Sequence, residues 1–177
     1  MSILLVERIW AMPNSRTFNI KPIKNFVERH ITNASVIVDP FANECKYGTI
    51  TNDLNPEFDT TYHLDALDFL NRLPSESADV VLYDPPYSLR QVSECYKGFG
   101  LAVTQETTRS SWRARHLDEI ARILKPGGKC LCFGWNSNGV GKTRGFEMTE
   151  LLLVAHGGSK NDTICTAEIK NRATTDS

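Results

Sequence analysis

Apolar side chains in this chain fall in short runs closed by polar or turn-forming residues, and the runs alternate with stretches of helical period. Residues 35 to 39, 48 to 53, 60 to 64, 79 to 84 and 128 to 134 are such runs, and each predicts a strand. Between the last two, Leu117, Ile120, Ala121 and Leu124 recur at i, i+3, i+4 and i+7. Ser110 or Ser111 precedes them as a cap, and Lys125-Pro126-Gly127-Gly128 follows as a set of breakers, so a helix crosses back here to a parallel strand. A shorter helix is predicted over 66 to 73, with Leu67, Leu70 and Leu73 on one side. Another opens at Lys21-Pro22 and runs to about His30, with proline near its first turn. The last two runs, 146 to 156 and 161 to 170, flank Gly157-Gly158-Ser159-Lys160-Asn161, a hairpin signal.

With 177 residues, 41% hydrophobic and 23% charged, the composition is that of an ordinary globular protein with one sizeable core. One domain over 1–171 is expected, followed by a loose polar tail over 172–177. The formal net charge of −1 excludes a wholesale polycation, so any nucleic-acid binding has to come from a local patch. The opening residues, Ser2 to Arg8, are too short and too soon charged for a signal peptide or membrane helix, which makes a cytoplasmic location the expectation. Five scattered cysteines, at 45, 95, 130, 132 and 165, match neither a disulfide framework nor paired zinc knuckles. The four histidines are dispersed, and no metal site is expected.

The chemistry concentrates in Asp84-Pro85-Pro86-Tyr87, which closes the apolar run that begins at Ala78. Open α/β sheets place their ligands at the carboxyl ends of strands. Two successive prolines remove two backbone donors and hold the chain extended, leaving the carbonyls of Asp84 and Pro85 free to accept. A carboxylate oxygen beside a fixed carbonyl suits an amino group with two N–H donors, and Tyr87 offers a face for a flat ring. An ordinary turn at the strand exit is the competing reading of the tetrapeptide taken alone.

The whole pattern resembles the amino-group DNA methyltransferases of the adenine-N6 type. Asp84-Pro85-Pro86-Tyr87 stands where that family has its catalytic motif, Asp39-Pro40-Phe41-Ala42 where it has its first cofactor motif, and Phe18 to Ile23 where a segment helps hold the cofactor. The resemblance implies a Rossmann-like class I S-adenosylmethionine-dependent methyltransferase fold, a mostly parallel seven-stranded α/β sheet with a terminal antiparallel hairpin. It also implies S-adenosyl-L-methionine as cofactor, held by Phe18, Lys21, Pro22, Asp39, Phe41, Ala42, Asp53, Asp65 and Ala66. Asp53 stands where the ribose hydroxyls are bound and Asp65 where the adenine is read, although Asp65 serves equally as a helix cap. One departure concerns the first motif. Glycines usually follow it, whereas this chain reads Asn43-Glu44-Cys45-Lys46-Tyr47-Gly48 and leaves too few residues for a full crossover helix. Asn43 is expected to take the left-handed conformation in place of the first glycine.

Implied activity is methyl transfer to the N6 amine of adenine in DNA, with the base flipped from its stack. An RNA adenine methyltransferase and a catalytically silent binding module remain open on the same residues. Arg90, Lys97, Arg109, Arg113 and Arg115 outnumber Glu94 and Glu106 between 90 and 115, with Tyr96, Phe99 and Trp112 interleaved. Lys142 and Arg144 form a second small cluster. These basic residues are the expected nucleic-acid contacts, the alternative being a loop followed by a solvated helix face. No separate recognition region is visible, so target choice is expected from a partner protein or a second copy of the chain.

Overall fold

The computed structural model describes residues 3–102 and 111–174. Seven strands form one sheet: β1 (Leu5–Trp10), β2 (Ile37–Asp39), β3 (Ile50–Thr51), β4 (Ala78–Tyr83), β5 (Leu124–Gly134), β6 (Phe146–Ala155) and β7 (Thr163–Lys170). Their spatial order is β1-β6-β7-β5-β4-β2-β3. β7 runs antiparallel to β5 and β6, and every other neighbouring pair is parallel. The helices are α1 (Lys21–Ile31), α2 (Ala66–Arg72), α3 (Leu89–Gly98) and α4 (Ser111–Ile123).

Alternation along the central strands divides the core between the two faces of the sheet. Val80 and Leu82 of β4 pack with Ile23, Phe26 and Val27 of α1. Val81 and Tyr83 point the other way, onto Phe69 and Leu70 of α2 and Leu117 and Ile120 of α4. A parallel strand covered on both faces reads as a continuous apolar run, which is why β4 is legible in the sequence. α4 stops at Ile123, one residue before the predicted breakers. Ala78 pairs with Leu124 but Val80 pairs with Lys129, so residues 125–128 bulge out between them. Gly127 takes the positive φ of 82° that this excursion needs.

Seven strands are present as expected, but not the expected seven. Residues 60–64 contribute only one isolated bridge, Asn52 to Tyr62. Threonine side chains compete with a ladder there: Thr60 Oγ1 donates to the Tyr62 carbonyl at 2.8 Å, and Thr61 N–H donates to Thr51 Oγ1 at 3.0 Å. The seventh strand is β1, at the sheet edge, with all six residues exposed. α3 is likewise unforeseen. Ser88 caps it by accepting from Gln91 N–H, and Val92 and Tyr96, four apart, are its inward-facing residues.

The shortened connection after the first motif is as expected, with no helix between β2 and β3. Asn43 has φ of 50°. Gly48 brings the returning chain against Asp39, where a Cβ would stand 2.8 Å from Thr51 Cγ2 and 3.0 Å from Asp39 Cβ. No helix among the described residues is long and apolar enough to cross a membrane.

On the α1 side, Glu150 of β6 is buried and accepts from Arg29 at 2.8 and 3.1 Å. His30 Nε2 lies 2.6 Å from the same carboxylate. Burial lowers the His30 pKa and favours the neutral ring, in which Nε2–H donates to Glu150 and Nδ1 accepts from Lys129 at 3.5 Å. Burial pushes the Glu150 carboxyl up, but the bonds from Arg29 and His30 outweigh it and hold the pKa below the usual range. Glu150→Ala strands these donors and is expected to cost about 2 kcal/mol in a denaturant titration. Glu150→Gln, which keeps an acceptor, is expected to lose less.

Candidate active site

A cleft of about 1000 Å³ opens at the carboxyl ends of β2, β3, β4 and β5, where an open α/β sheet is expected to bind its ligand. Asp84, the residue after β4, lies on its floor. Tyr87 O–H donates to Asp84 Oδ1 at 2.7 Å, and Thr17 Oγ1 lies 3.3 Å from the same phenol oxygen. Tyr87 N–H donates to Gln91 Oε1 at 2.7 Å, which fixes the turn into α3. Among the described residues no hydrogen bond takes up the Pro85 carbonyl. Desolvation pushes the Asp84 carboxyl up to about 6, with the Tyr87 and Thr17 hydroxyls pulling the other way.

Asp39, at the end of β2, is fully buried. Phe41 N–H donates to its Oδ1 at 3.2 Å, whereas Oδ2 has no hydrogen-bond partner among the described residues. Burial first, and then the neighbouring charge of Asp84, raise its pKa well above the ordinary carboxylate value. An orphaned oxygen on a buried carboxylate lacks a cation or a donor, and S-adenosylmethionine carries both. The Cys45 thiol beside it is pushed up to about 12 by burial and by Asp39. Asp39 itself is not among the residues lining the cleft, although Pro40 and Phe41 beside it are, and two other carboxylates line that half. Asp53 accepts from Asn43 N–H at 2.8 Å and Asn55 N–H at 2.9 Å, which brings its carboxylate to the rim. Asp65 caps α2 through Leu67 N–H at 3.0 Å, and its other oxygen accepts from Tyr96 O–H. Asp65 is thus the helix cap foreseen for it, and it also lines the cleft.

Of the other residues singled out in the sequence, Phe18, Phe41, Ala42, Ala66, Pro85 and Pro86 also line the cleft. Phe41 is backed by Tyr83, Trp112 and His116, with ring centroids at 5.9, 6.1 and 5.7 Å. Lys21 and Pro22 open α1 and are not among the lining residues. The basic residues behave differently. Arg90 is exposed and paired with Glu94 at 2.8 Å, and Lys97 is exposed at the end of α3. Arg113 lies 5.3 Å over the ring of buried Tyr83. Arg144 is committed to Asp118, Val140 and Ala114. Lys142 lies in a one-turn helix before β6, and Arg109 lies outside the described residues. None of these five described residues, nor Arg115, lines the cleft. Thr17, Cys45, Trp135 and Lys160 do, and sequence reasoning did not assign them there. Tyr96, Phe99 and Trp112, the aromatics interleaved with the basic segment, line it as well.

No protein-family model matches the chain. Among solved structures the fold is similar to TrmN from Thermus thermophilus, with TM-score 0.56 and 15% identity over 85% of this chain and 49% of that one. It is also similar to 1,6-didemethyltoxoflavin-N1-methyltransferase of Burkholderia thailandensis, solved with its substrate and S-adenosylhomocysteine bound. That match has TM-score 0.55 and 12% identity, covering 86% of this chain and 78% of the other. The fold is therefore the class I S-adenosylmethionine-dependent methyltransferase fold. In sequence, the chain is similar to the Type II methyltransferase M.BamHI of Bacillus amyloliquefaciens, 30% identical over 82 residues. The match takes in 43% of this chain and 18% of that relative's length.

Proposed function

We propose that the chain is an S-adenosylmethionine-dependent methyltransferase acting on the N6 amine of adenine in DNA. The observation that carries the reading is the presence in one cleft of Asp84 and Pro85, whose carbonyl no hydrogen bond takes up among the described residues, near the buried Asp39, whose Oδ2 likewise has no partner among them. Similarity to a type II methyltransferase supports it.

S-adenosylmethionine, when bound, supplies a methyl group on a sulfonium centre. Asp39 would face the cofactor's cationic end, with Phe41 and Ala42 along one wall and Phe18 opposite. Asp53 would accept from the ribose hydroxyls, and Asp65 with Ala66 would read the adenine ring, while Lys21 and Pro22 set the start of α1 below Phe18. On the target side, Asp84 accepts one amine N–H and the Pro85 carbonyl accepts the other. Pro86 keeps that carbonyl in place. Two acceptors on the amine keep its lone pair from being wholly shared with the ring, and the carboxylate stabilises the positive charge that develops on nitrogen before it takes the proton.

Asp84 offsets the charge on nitrogen and takes its proton only when ionised, so transfer is expected to rise with pH to a plateau. The midpoint lies at about 6 or below, because a bound cation favours the carboxylate. Single-turnover rates across pH at saturating cofactor measure this; a rate that falls on raising the pH from 5 to 7 contradicts the role given to Asp84. The reading itself is tested by transfer of labelled methyl to DNA and RNA followed by nucleoside analysis. N6-methyladenine in DNA is expected, and label only in RNA, or in no acceptor, overturns it.

A further inference from the structure

We propose that single-stranded DNA enters the cleft over the side of the sheet formed by β5, β7, β6 and β1. There its bases stack on Trp135 and Tyr87, and its phosphates pair with Lys160 and Arg16. The inference rests on the methyl-transfer reading and adds where the polymer lies. Register fixes the location. Gly134 of β5 pairs with Ile164 of β7, so Trp135, one residue on, leaves the sheet beside Thr163 and the connection between β6 and β7. β1 ends at Trp10 opposite Ala155. His156 joins the three segments: Nδ1–H donates to the Ala11 carbonyl at 2.8 Å, and Nε2 accepts from Thr163 Oγ1 at 2.8 Å. Residues 13–17, Trp135 and residues 159–161 thus meet at one rim of the cleft.

The chemistry of this rim is that of a single-strand platform. Trp135 is 41% exposed, and its ring centroid lies 5.7 Å from that of Tyr87 at 70°. A large aromatic left exposed at the mouth of a cleft, beside a second ring, offers a face to unstacked bases whatever their sequence. Lys160 is exposed and has no ion pair among the described residues. Arg16 pairs with Glu44 at 2.6 Å, but both side chains are about half exposed, and such a pair is easily exchanged for a phosphate. Asp53 and Asp65 lie toward the β2 and β3 side, whereas Glu44, held by Arg16, belongs to this rim as well. A polyanion is therefore drawn toward Lys160, takes Arg16 only in exchange for Glu44, and is repelled by Asp53 and Asp65. In the segment from 90 to 115, Tyr96, Phe99 and Trp112 line the cleft, but among its described basic residues Arg90 is paired, Arg113 covers Tyr83, and neither lines it.

Fluorescence anisotropy of a labelled, adenine-containing single-stranded DNA oligonucleotide, with S-adenosylhomocysteine present, tests the seat. Trp135→Ala is expected to weaken binding roughly tenfold. Lys160→Ala lowers the slope of log affinity against log salt by about 0.7. The double variant Arg90→Ala, Lys97→Ala stays within about twofold of the unaltered protein. Unchanged S-adenosylhomocysteine affinity in every variant shows that the fold is kept. Failure of the unaltered protein to bind, insensitivity to Trp135 and Lys160, or an equal loss in the Arg90 and Lys97 variant overturns the proposal, as does tighter binding of RNA of the same sequence. Binding with these sensitivities but no methyl transfer leaves the seat standing and removes the reaction. Transfer that is indifferent to Trp135 and Lys160 does the reverse.

Discussion

Asp84→Asn is expected to lower the methyl-transfer rate by about 10²–10³-fold while S-adenosylhomocysteine binds within a few-fold of the unaltered protein. The asymmetry follows from where Asp84 sits. It follows β4 in the sheet, between the carboxylate-lined half and the aromatic rim, and the Tyr87 O–H donates to it at 2.7 Å. An amide in its place puts an N–H or a weaker acceptor where the target amine needs a carboxylate, and the positive charge developing on nitrogen loses its counter-charge. The Asp39, Asp53 and Asp65 side of the cleft is not altered. Single-turnover rates and calorimetric binding measured on one preparation separate the two effects. A variant that transfers methyl at the original rate removes Asp84 from the mechanism.

Asp39→Asn is expected to act in opposite directions on binding and on stability. Loss of the buried carboxylate weakens S-adenosylmethionine binding by roughly 10²-fold, on the order of 3 kcal/mol, as when one partner of a buried charge pair is removed. Without cofactor the same substitution stabilises. Because burial raises the folded-state pKa of Asp39 above its unfolded value, the folded protein holds a proton that the unfolded chain releases, and stability falls as pH rises from about 4 toward the raised value. Asparagine carries no such penalty and keeps an acceptor for Phe41 N–H. At pH 7 to 8 the cofactor-free variant is expected to melt a few degrees above the unaltered protein. A lower melting temperature together with unchanged cofactor affinity excludes this role for Asp39.

What could be read from the sequence follows from burial. β4, α1 and the β6–β7 hairpin were legible because strands covered on both faces and amphipathic helices print their burial directly into the order of residues. β1 printed nothing, since a strand exposed along its length has no periodicity to show. Thr60 to Leu64 imitated a strand because threonine favours extended backbone, yet here its hydroxyls satisfy that backbone locally. The carboxylates proposed for the cofactor were legible as motif positions: Asp39 ends β2, Asp53 follows β3, and Asp65 caps α2. The aromatic rim was not: Arg16, Trp135 and Lys160 come from three connections far apart in the chain, joined only by the register of β5, β7, β6 and β1. Charge alone misled. Arg113 and Arg144 count toward a basic patch in the sequence but serve inside the fold, one over an aromatic ring and the other bonded to two backbone carbonyls and an aspartate.

On the proposed reading, the hydrogen bond from Tyr87 to Asp84 gives arrival of a target amine the character of an exchange. While the phenol is in place, the carboxylate already has a donor. An incoming amine would trade one protein O–H for its own N–H without first stripping Asp84 bare. Removing the hydroxyl would leave the acceptor exposed to water between turnovers, so that each cycle would begin with a dehydration step.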